Sequence, residues 1–207
     1  MSVPCNRKGK IRFAKGDNVK MNIMIVGVGG QGTLLASRIL GGAAIKKGYD
    51  VKVSEVHGMS QRGGSVVTYV KFGDKVYSPI IDKGEADLVL AFELLEAYRA
   101  LPFVKKDGKI LVNRQQMNPM PVITGAMEYP ENIEEKLKEK VHVTAVDALP
   151  LAEEAGTIKA VNVVLIGLLA KKMDIEKEVW IEVIKEFVPE KFLDMNLKAF
   201  ELGYNYN

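Results

Sequence analysis

The sequence predicts a single α/β domain with a mixed, mostly parallel β-sheet, a Rossmann-like first βαβ unit and C-terminal helices. Three observations lead to this fold class. Short runs rich in β-branched residues alternate with helical patterns from Met21 onward, an alternation typical of parallel sheets. The first run, NIMIVGVG, leads directly through a glycine-rich turn into a helical pattern. Beyond the last strand pattern the periodicity is helical only.

Each predicted element has a local signal. A GDK turn precedes VYSPI and predicts that this run returns antiparallel, which makes the sheet mixed. The first helix is expected to bury one side and to end at Gly48; that side carries Leu34, Leu35, Ile39, Ala43 and Ala44. The predicted strands are NIMIVGVG, VKVSEV, SVVTYVKF, VYSPI, ADLVLAF, GKILVN and KVHVTAVD. The predicted helices are TLLASRILGGAAIKKG, ELLEAYRAL, LPLAEEAG, KAVNVVLIGLLAKKM, IEKEVWIEVIKEFV and EKFLDMNLKAFELGYNY.

The helices from Ile175 onward are predicted to pack on this same domain. The segment EVWIEVIKEFV carries an apolar stripe that a lone helix could not bury. The stripe consists of Val179, Trp180 or Ile181, Val183, Ile184 and Phe187.

Cysteine content and hydropathy exclude several classes of protein. The single cysteine, Cys5, cannot form a disulfide within the chain, a four-cysteine zinc site or a cysteine-ligated iron–sulfur cluster unless a partner supplies ligands. The longest apolar run, residues 163–170, is far shorter than the ~20 residues that cross a bilayer. No secretion signal opens the chain. We therefore expect a cytoplasmic protein without a membrane segment.

The net charge of +3 is unevenly distributed along the chain. Residues 1–20 carry six Lys or Arg and one acidic residue, so residues 21–207 have a net charge of −2. A body without excess positive charge argues against a nucleic-acid partner. We divide the chain into a basic N-terminal extension, residues 1–20, and one domain, residues 21–207. The extension is either an artefact of the start site or expression, or a basic arm that docks on a partner.

The motif GVGGQG lies directly between the first strand and the first helix. Its spacing satisfies G-x-G-x-x-G, and Glu55 follows 23 residues after Gly32, at the end of the second strand. Three interpretations remain open: dinucleotide binding, binding of another anion at the helix N-terminus, and close packing of helix on strand. The candidate binding residues are Gly27, Gly29, Gly30, Gln31, Gly32 and Glu55.

The stretch VHGMSQRGGSV concentrates polar chemistry on a glycine-rich connection between two strands. Its side chains offer hydrogen-bond donors and one fixed positive charge, which suits an anionic or acyl ligand. A loop histidine bonded to backbone, and a surface ion pair between Arg62 and Glu55, are the alternatives. Neither a catalytic residue nor a metal ligand is assigned. The candidate binding residues are His57, Gly58, Met59, Ser60, Gln61, Arg62, Gly63 and Gly64.

Four segments together carry a family resemblance: GVGGQG, SEVHGMSQRGGSV, GEADLVLAFELLEA and VNVVLIGLLA. From about Met21 to the C-terminus the chain resembles the gamma-type domain of the 2-oxoacid:ferredoxin oxidoreductases. HGMSQRGG is similar to the indolepyruvate type of this family, whereas the pyruvate and 2-oxoglutarate types keep the Arg-Gly part and differ before it.

The resemblance implies a subunit that is inactive alone. It implies an enzyme that decarboxylates an aryl 2-oxoacid, passes electrons to ferredoxin and forms an acyl-CoA. Thiamine diphosphate and the iron–sulfur clusters, of the 4Fe–4S type, are implied to lie on a larger alpha subunit in a hetero-oligomer. In pyruvate enzymes the gamma-type domain is implicated in binding coenzyme A. We therefore expect His57, Gln61 and Arg62 to face anionic or acyl groups at the subunit interface.

Three other functions stay open. The chain could be the gamma subunit of an enzyme for pyruvate, 2-oxoisovalerate or 2-oxoglutarate. It could be an independent dinucleotide-binding redox protein, which the glycine motif and Glu55 favour. It could also be a structural or regulatory subunit without a ligand.

Overall fold

A six-stranded β-sheet forms the centre of the domain in the computed structural model, which describes residues 20–58 and 63–206. The spatial order is β2-β3-β1-β4-β5-β6, and β3 runs antiparallel to both of its neighbours. β1, β4, β5 and β6 pair in parallel, so their carboxyl ends share one edge, here called the carboxyl edge. The predicted fold class is confirmed. The strands are β1 (Lys20–Val28), β2 (Asp50–His57), β3 (Ser65–Gly73), β4 (Ala86–Ala91), β5 (Val104–Asn113) and β6 (His142–Val146).

Helices cover both faces of the sheet, and each face has its own apolar core. One core lies under the first helix and the C-terminal helices, and the other lies under two short helices that follow β4 and β5. Side chains of a strand alternate between the two cores, as the pleat requires. The helices are α1 (Thr33–Lys46), α2 (Leu94–Ala100), α3 (Met120–Ile123), α4 (Ile133–Lys138), α5 (Ala148–Ala155), α6 (Val161–Lys172), α7 (Lys177–Phe187) and α8 (Leu193–Asn205).

The sequence predicted an antiparallel strand at VYSPI, residues 76–80, but the antiparallel strand lies at a different position in the chain. Residues 76–80 form no strand, because Pro79 lacks an N–H and the N–H of Ile80 bonds to the hydroxyl of Ser78 at 3.2 Å. The antiparallel strand is β3, which returns from β2 through residues 58–64 and inserts between β2 and β1. The unit β1-α1-β2 therefore forms as predicted, but its two strands are not neighbours. The sequence patterns also did not predict α3 and α4.

Helix α1 ends as predicted but buries a shifted stripe. Gly48 adopts the left-handed conformation with φ 92°, and its N–H donates to the carbonyl of Ile45. Leu34, expected in the core, is 46% exposed, because it lies on the same face of α1 as the exposed residues Arg38 and Ile45, opposite the buried stripe. The core-facing residues of α1 are Ala36, Ile39, Leu40, Ala43 and Ala44, with Leu35 partly buried.

The C-terminal helices pack on this domain, as predicted. Trp180, Val183 and Ile184 are fully buried in the core that α1 shares, although Phe187 is partly exposed. The backbones of α6 and α8 touch, since a Cβ on Gly203 would lie 2.0 Å from the carbonyl oxygen of Val164. Within the described ranges, no helix is both long enough and apolar enough to cross a membrane.

Candidate functional site

The glycine-rich turn joins the end of β1 to the start of α1 at the carboxyl edge. Gly30 and Gly32 have φ of 103° and 84°, a region that side chains with a Cβ rarely adopt. The N–H of Gln31 closes the turn on the carbonyl of Val28 at 3.1 Å. The motif GVGGQG thus forms the strand-to-helix turn that its spacing predicts.

The two sequence motifs meet in one site. The N–H of Gly29 donates to the carbonyl of Gly64 at 2.8 Å, and the N–H of Gly63 donates to the carbonyl of Gly29 at 3.3 Å. The predicted contacts of Met59, Ser60, Gln61 and Arg62 stay predictions, because these four lie outside the described residues.

A cleft of about 420 Å³ opens between the glycine turn, the first turn of α1 and the end of β2. Its volume is within the range of small-molecule sites. Glu55 and His57 lie on the face of β2 that points towards α1, and both reach the cleft. The carboxylate of Glu55 accepts a hydrogen bond from the hydroxyl of Thr68 at 3.3 Å. The cleft is lined by Gly29, Gly30, Gly32, Thr33, Leu34, Glu55, His57 and Val66.

The electrostatics of the cleft differ between its two sides. On one side the first turn of α1 presents backbone N–H groups, and its N-cap, Gly32, has no side chain to bond them. These groups and the helix dipole favour an anion. On the other side the carboxylate of Glu55 favours hydroxyl or amide donors. The cleft therefore suits a ligand that has an anionic group at one end and hydrogen-bond donors at the other.

Five of the described binding candidates do not line the cleft: Gly58, Gly63 and Gly64, and also Gly27 and Gln31. The side chain of Gln31 accepts from the N–H of Val28 at 2.7 Å and donates to the carbonyl of Phe92 and the side chain of Gln115, at 3.3 and 3.0 Å. A Cβ on Gly27 would lie 2.8 Å from Oε1 of Gln31. In this structure both residues shape the turn and link the ends of β1, β4 and β5.

Asn162 is a site residue that the sequence patterns did not identify. It is buried at the start of α6, and its Nδ2 donates to the carbonyl of Gly32 at 3.2 Å. Its Oδ1 accepts from the N–H of Val163 at 2.9 Å. The sequence contains one signal for Asn162, which is that it is an amide residue in the otherwise apolar run VNVVLIGLLA.

A buried carboxylate, Glu93, lies on the same edge, just beyond the end of β4. Its Oε1 accepts from the hydroxyl of Tyr129 at 2.5 Å and from the N–H of Met117 at 3.1 Å. Its Oε2 accepts from the N–H of Glu96 at 2.8 Å and so caps α2. Burial, together with the hydrogen bond to Glu93, raises the pKa of the Tyr129 phenol, which therefore remains a donor at alkaline pH.

The start of β3, next to the glycine contacts, is held by a second buried carboxylate. Glu96 accepts hydrogen bonds from the hydroxyl of Ser65 and from the guanidinium of Arg99. Among the residues that the structure describes, no group of three or more His, Cys, Asp or Glu could hold a metal ion.

Comparison with known proteins gives a consistent match. The family model Pyruvate ferredoxin/flavodoxin oxidoreductase matches residues 22–206. The chain is 47% identical over 188 residues to the indolepyruvate oxidoreductase subunit IorB of Pyrococcus horikoshii, covering 88% of this chain and 93% of that protein. It is 29% identical over 192 residues to the common subunit gamma of the pyruvate/ketoisovalerate oxidoreductases of Thermococcus kodakarensis, covering 89% and 96%.

A solved structure shares the whole fold. The crystal structure of the gamma subunit of a keto/oxoacid ferredoxin oxidoreductase from Geobacter sulfurreducens superposes with a TM-score of 0.66 at 26% identity. The match covers 89% of this chain and 96% of that one. The sheet and the helices on both of its faces are therefore a fold that solved structures already contain.

Proposed function

The chain belongs to the pyruvate ferredoxin/flavodoxin oxidoreductase family, and on that premise we propose that it is the smaller subunit of an indolepyruvate:ferredoxin oxidoreductase. The observation that carries this proposal is the 47% identity to an indolepyruvate oxidoreductase subunit over nearly the full length of both chains. Identity to a pyruvate/ketoisovalerate gamma subunit is only 29% over a similar span. The segment HGMSQRGG also supports an aryl 2-oxoacid over pyruvate, 2-oxoisovalerate or 2-oxoglutarate.

The reaction divides between two subunits in this proposal. An aryl 2-oxoacid, coenzyme A and oxidised ferredoxin give an aryl-acyl-CoA, CO2 and reduced ferredoxin. Thiamine diphosphate and the iron–sulfur clusters belong to the larger subunit and supply decarboxylation and electron transfer. This chain supplies a binding surface and has no activity alone.

The cleft fits one part of coenzyme A by its chemistry. The N–H groups at the start of α1 suit a phosphate, and the glycine turn lets a ligand approach the backbone closely. Glu55 can accept hydrogen bonds from pantetheine amides or ribose hydroxyls. The side chains of Leu34 and Val66 add an apolar surface to the wall of the cleft. We assign contact with coenzyme A to these residues and, from the sequence, to His57 and Arg62.

Dinucleotide binding is the second candidate, because Gly29, Gly32 and Glu55 line one cleft. Two observations weigh against it. The inserted β3 separates β1 from β2, so Glu55 lies two strands from the glycine turn, or roughly 10 Å at ~4.8 Å per strand. The side chain of Gln31 occupies the space between the ends of β1 and β4, where an open α/β sheet usually binds its ligand.

Reconstitution tests the proposed function. We expect the purified chain and the larger subunit to reduce a viologen dye together, with indolepyruvate and coenzyme A, and each to be inactive alone. Dye reduction by this chain alone would refute the division of labour. A complex that prefers pyruvate, 2-oxoisovalerate or 2-oxoglutarate would move the chain to another branch of the family.

Thermal melting separates the ligands. A ligand that binds only the native state raises the melting temperature. We expect coenzyme A to raise the melting temperature of the complex. We expect NADH and FAD to leave this melting temperature unchanged. A rise with NADH or FAD instead would favour the dinucleotide function.

A further inference from the structure

Three large apolar side chains stand exposed within eight residues of the segment after β5. Met120 is 70% exposed, Ile123 66% and Met127 65%. Met120 and Ile123 lie one turn apart on α3, and the N–H of Met127 donates to the carbonyl of Pro121 at 3.0 Å. Soluble proteins rarely leave a cluster of large apolar side chains in water unless it binds something.

These side chains belong to residues 117–129, a segment that is held at both ends by hydrogen bonds to the same carboxylate oxygen. Oε1 of Glu93 accepts from the N–H of Met117 and from the hydroxyl of Tyr129. Inside the segment, the N–H of Ile123 donates to the carbonyl of Pro119 at 3.1 Å, and that of Thr124 to the carbonyl of Met120 at 2.9 Å. A surface that is ordered in advance loses little conformational entropy when a partner binds. We call residues 117–129 the clamped loop.

The clamped loop begins beside the cleft. Gln115, just before the loop, accepts a hydrogen bond from Gln31 of the glycine turn at 3.0 Å, and its carbonyl accepts from the N–H of Leu94 at 3.0 Å. The loop and the cleft therefore share the carboxyl edge. A partner that brings its reacting centre to the cleft must cover this edge and meets the clamped loop beside it.

We propose that the clamped loop is a docking surface for the larger subunit, which receives Met120, Ile123 and Met127 in an apolar recess. This inference rests on the proposed function, which gives the chain that partner. Large, flexible and apolar side chains such as methionine suit the buried centre of a protein interface. Continuity with the cleft favours the larger subunit over a second copy of this chain, whose binding would block access to the carboxyl edge.

The test is the affinity between the full-length chain and the purified larger subunit, measured by biolayer interferometry. Ile123→Glu places a charge at the centre of the surface. We expect it to raise the dissociation constant at least about thirtyfold, the minimum for an interface hot spot. Its melting temperature should match that of the wild type, because the side chain is exposed. Met120→Lys is the second variant, should Ile123→Glu not fold.

Ile45→Glu is the matched control. Ile45 is 61% exposed on a helix, but it lies at the far end of α1, away from the carboxyl edge. We expect its dissociation constant to stay within about threefold of the wild-type value. If the folded loop variants also stay within threefold, or if both sites weaken binding equally, the docking surface is not the clamped loop.

Two further outcomes separate this inference from the proposed function. A wild-type chain that does not bind the larger subunit at all refutes the proposed function itself. Sedimentation of the isolated chain tests the other occupant. A dimer that forms in the wild type and is lost in Ile123→Glu would assign the clamped loop to a second copy of this chain and overturn the inference.

Discussion

Asn162 fills the space in which a side chain at Gly32 would have to stand. Its amide nitrogen donates to the carbonyl of Gly32 and would lie 2.4 Å from a Cβ built at that glycine. The contact joins the N-terminal turns of α6 and α1, which lie 130 residues apart in sequence. The wall of the cleft therefore depends on a C-terminal helix as well as on the glycine motif.

Gly32→Ala should destabilise the fold by about 2–4 kcal/mol, since a left-handed residue with a Cβ is strained and this one also collides with Asn162. Gly30→Ala is the control. Its φ is also positive, but a Cβ there has no neighbour within 4 Å, so only the strain of about 1–2 kcal/mol remains. Urea unfolding of both variants measures the difference. Equal losses would show that Asn162 moves away at no cost.

Tyr129→Phe should lower the free energy of unfolding by about 1–3 kcal/mol at pH 7, because it removes a donor from the buried carboxylate of Glu93. The pH dependence has a defined sign. The folded-state pKa of Tyr129 is raised above its ordinary value of 10.0, so its stabilisation is complete below pH 10 and is lost as the pH rises further. The wild type should therefore lose more stability than the variant between pH 9 and about 11. Parallel curves over that range would contradict this.

Glu134→Gln should lower the free energy of unfolding by about 1 kcal/mol at pH 7. The guanidinium of Arg114 and then the ammonium of Lys138 hold the pKa of Glu134 at about 2, below its ordinary 4.5. A lowered folded-state pKa stabilises the protein above pH 4.5, and this stabilisation is lost as the pH falls towards 2. Wild type and variant should therefore converge as the pH falls from 4.5 to about 2. A constant gap would show that the ion pair contributes nothing.

Arg62→Ala in the assembled enzyme should weaken the apparent affinity for coenzyme A, or turnover, by roughly 10- to 150-fold. That range corresponds to a charge-assisted hydrogen bond of about 1.5–3 kcal/mol. Arg62→Lys should recover only part of the loss, since it keeps the charge without the planar fork. Steady-state assays at varied coenzyme A measure both. Kinetics within about fivefold, the limit for a surface ion pair, would remove Arg62 from the site.

Truncation after Met173 should give an aggregated chain. It removes α7 and α8 and exposes the apolar faces of α1 and α6 that pack against Trp180, Val183 and Phe200. Deletion of residues 1–19 is the control, because it removes no strand or core residue that the structure describes. Gel filtration of the two products compares them. A soluble fragment ending at Met173 that melts cooperatively would refute the prediction.

The sequence was sufficient for most features that a local pattern decides, although the GDK turn wrongly placed a strand at residues 76–80. The strand runs, the glycine turn and the Gly48 helix end depend on neighbours in sequence, and they were predicted. The insertion of β3 between β1 and β2 depends on which strands pair, and alternation alone does not specify that. Leu34 was placed in the core because it is apolar and lies in the α1 pattern, although its position around the helix is that of the exposed Arg38 and Ile45.

The polar contacts of the site could not be predicted for a similar reason. The hydrogen bonds of Glu93 with Met117 and Tyr129, and that of Asn162 with Gly32, join residues that are 24 or more positions apart. A single sequence contains no signal for such pairs.

The inserted strand also makes the cleft sensitive to strand register. Among the described strands β2 pairs only with β3, and Glu55 and His57 lie opposite Thr68 and Val66. A slip of one residue would turn both side chains to the opposite face of the sheet. The seven-residue connection does not impose an alignment by its length, so apolar pairs in the core beneath α1, such as Val51 and Phe72, have to fix it. Neither of these two residues lines the cleft. Substitutions there would nevertheless weaken ligand binding, because they would shift the register of the β2–β3 hairpin.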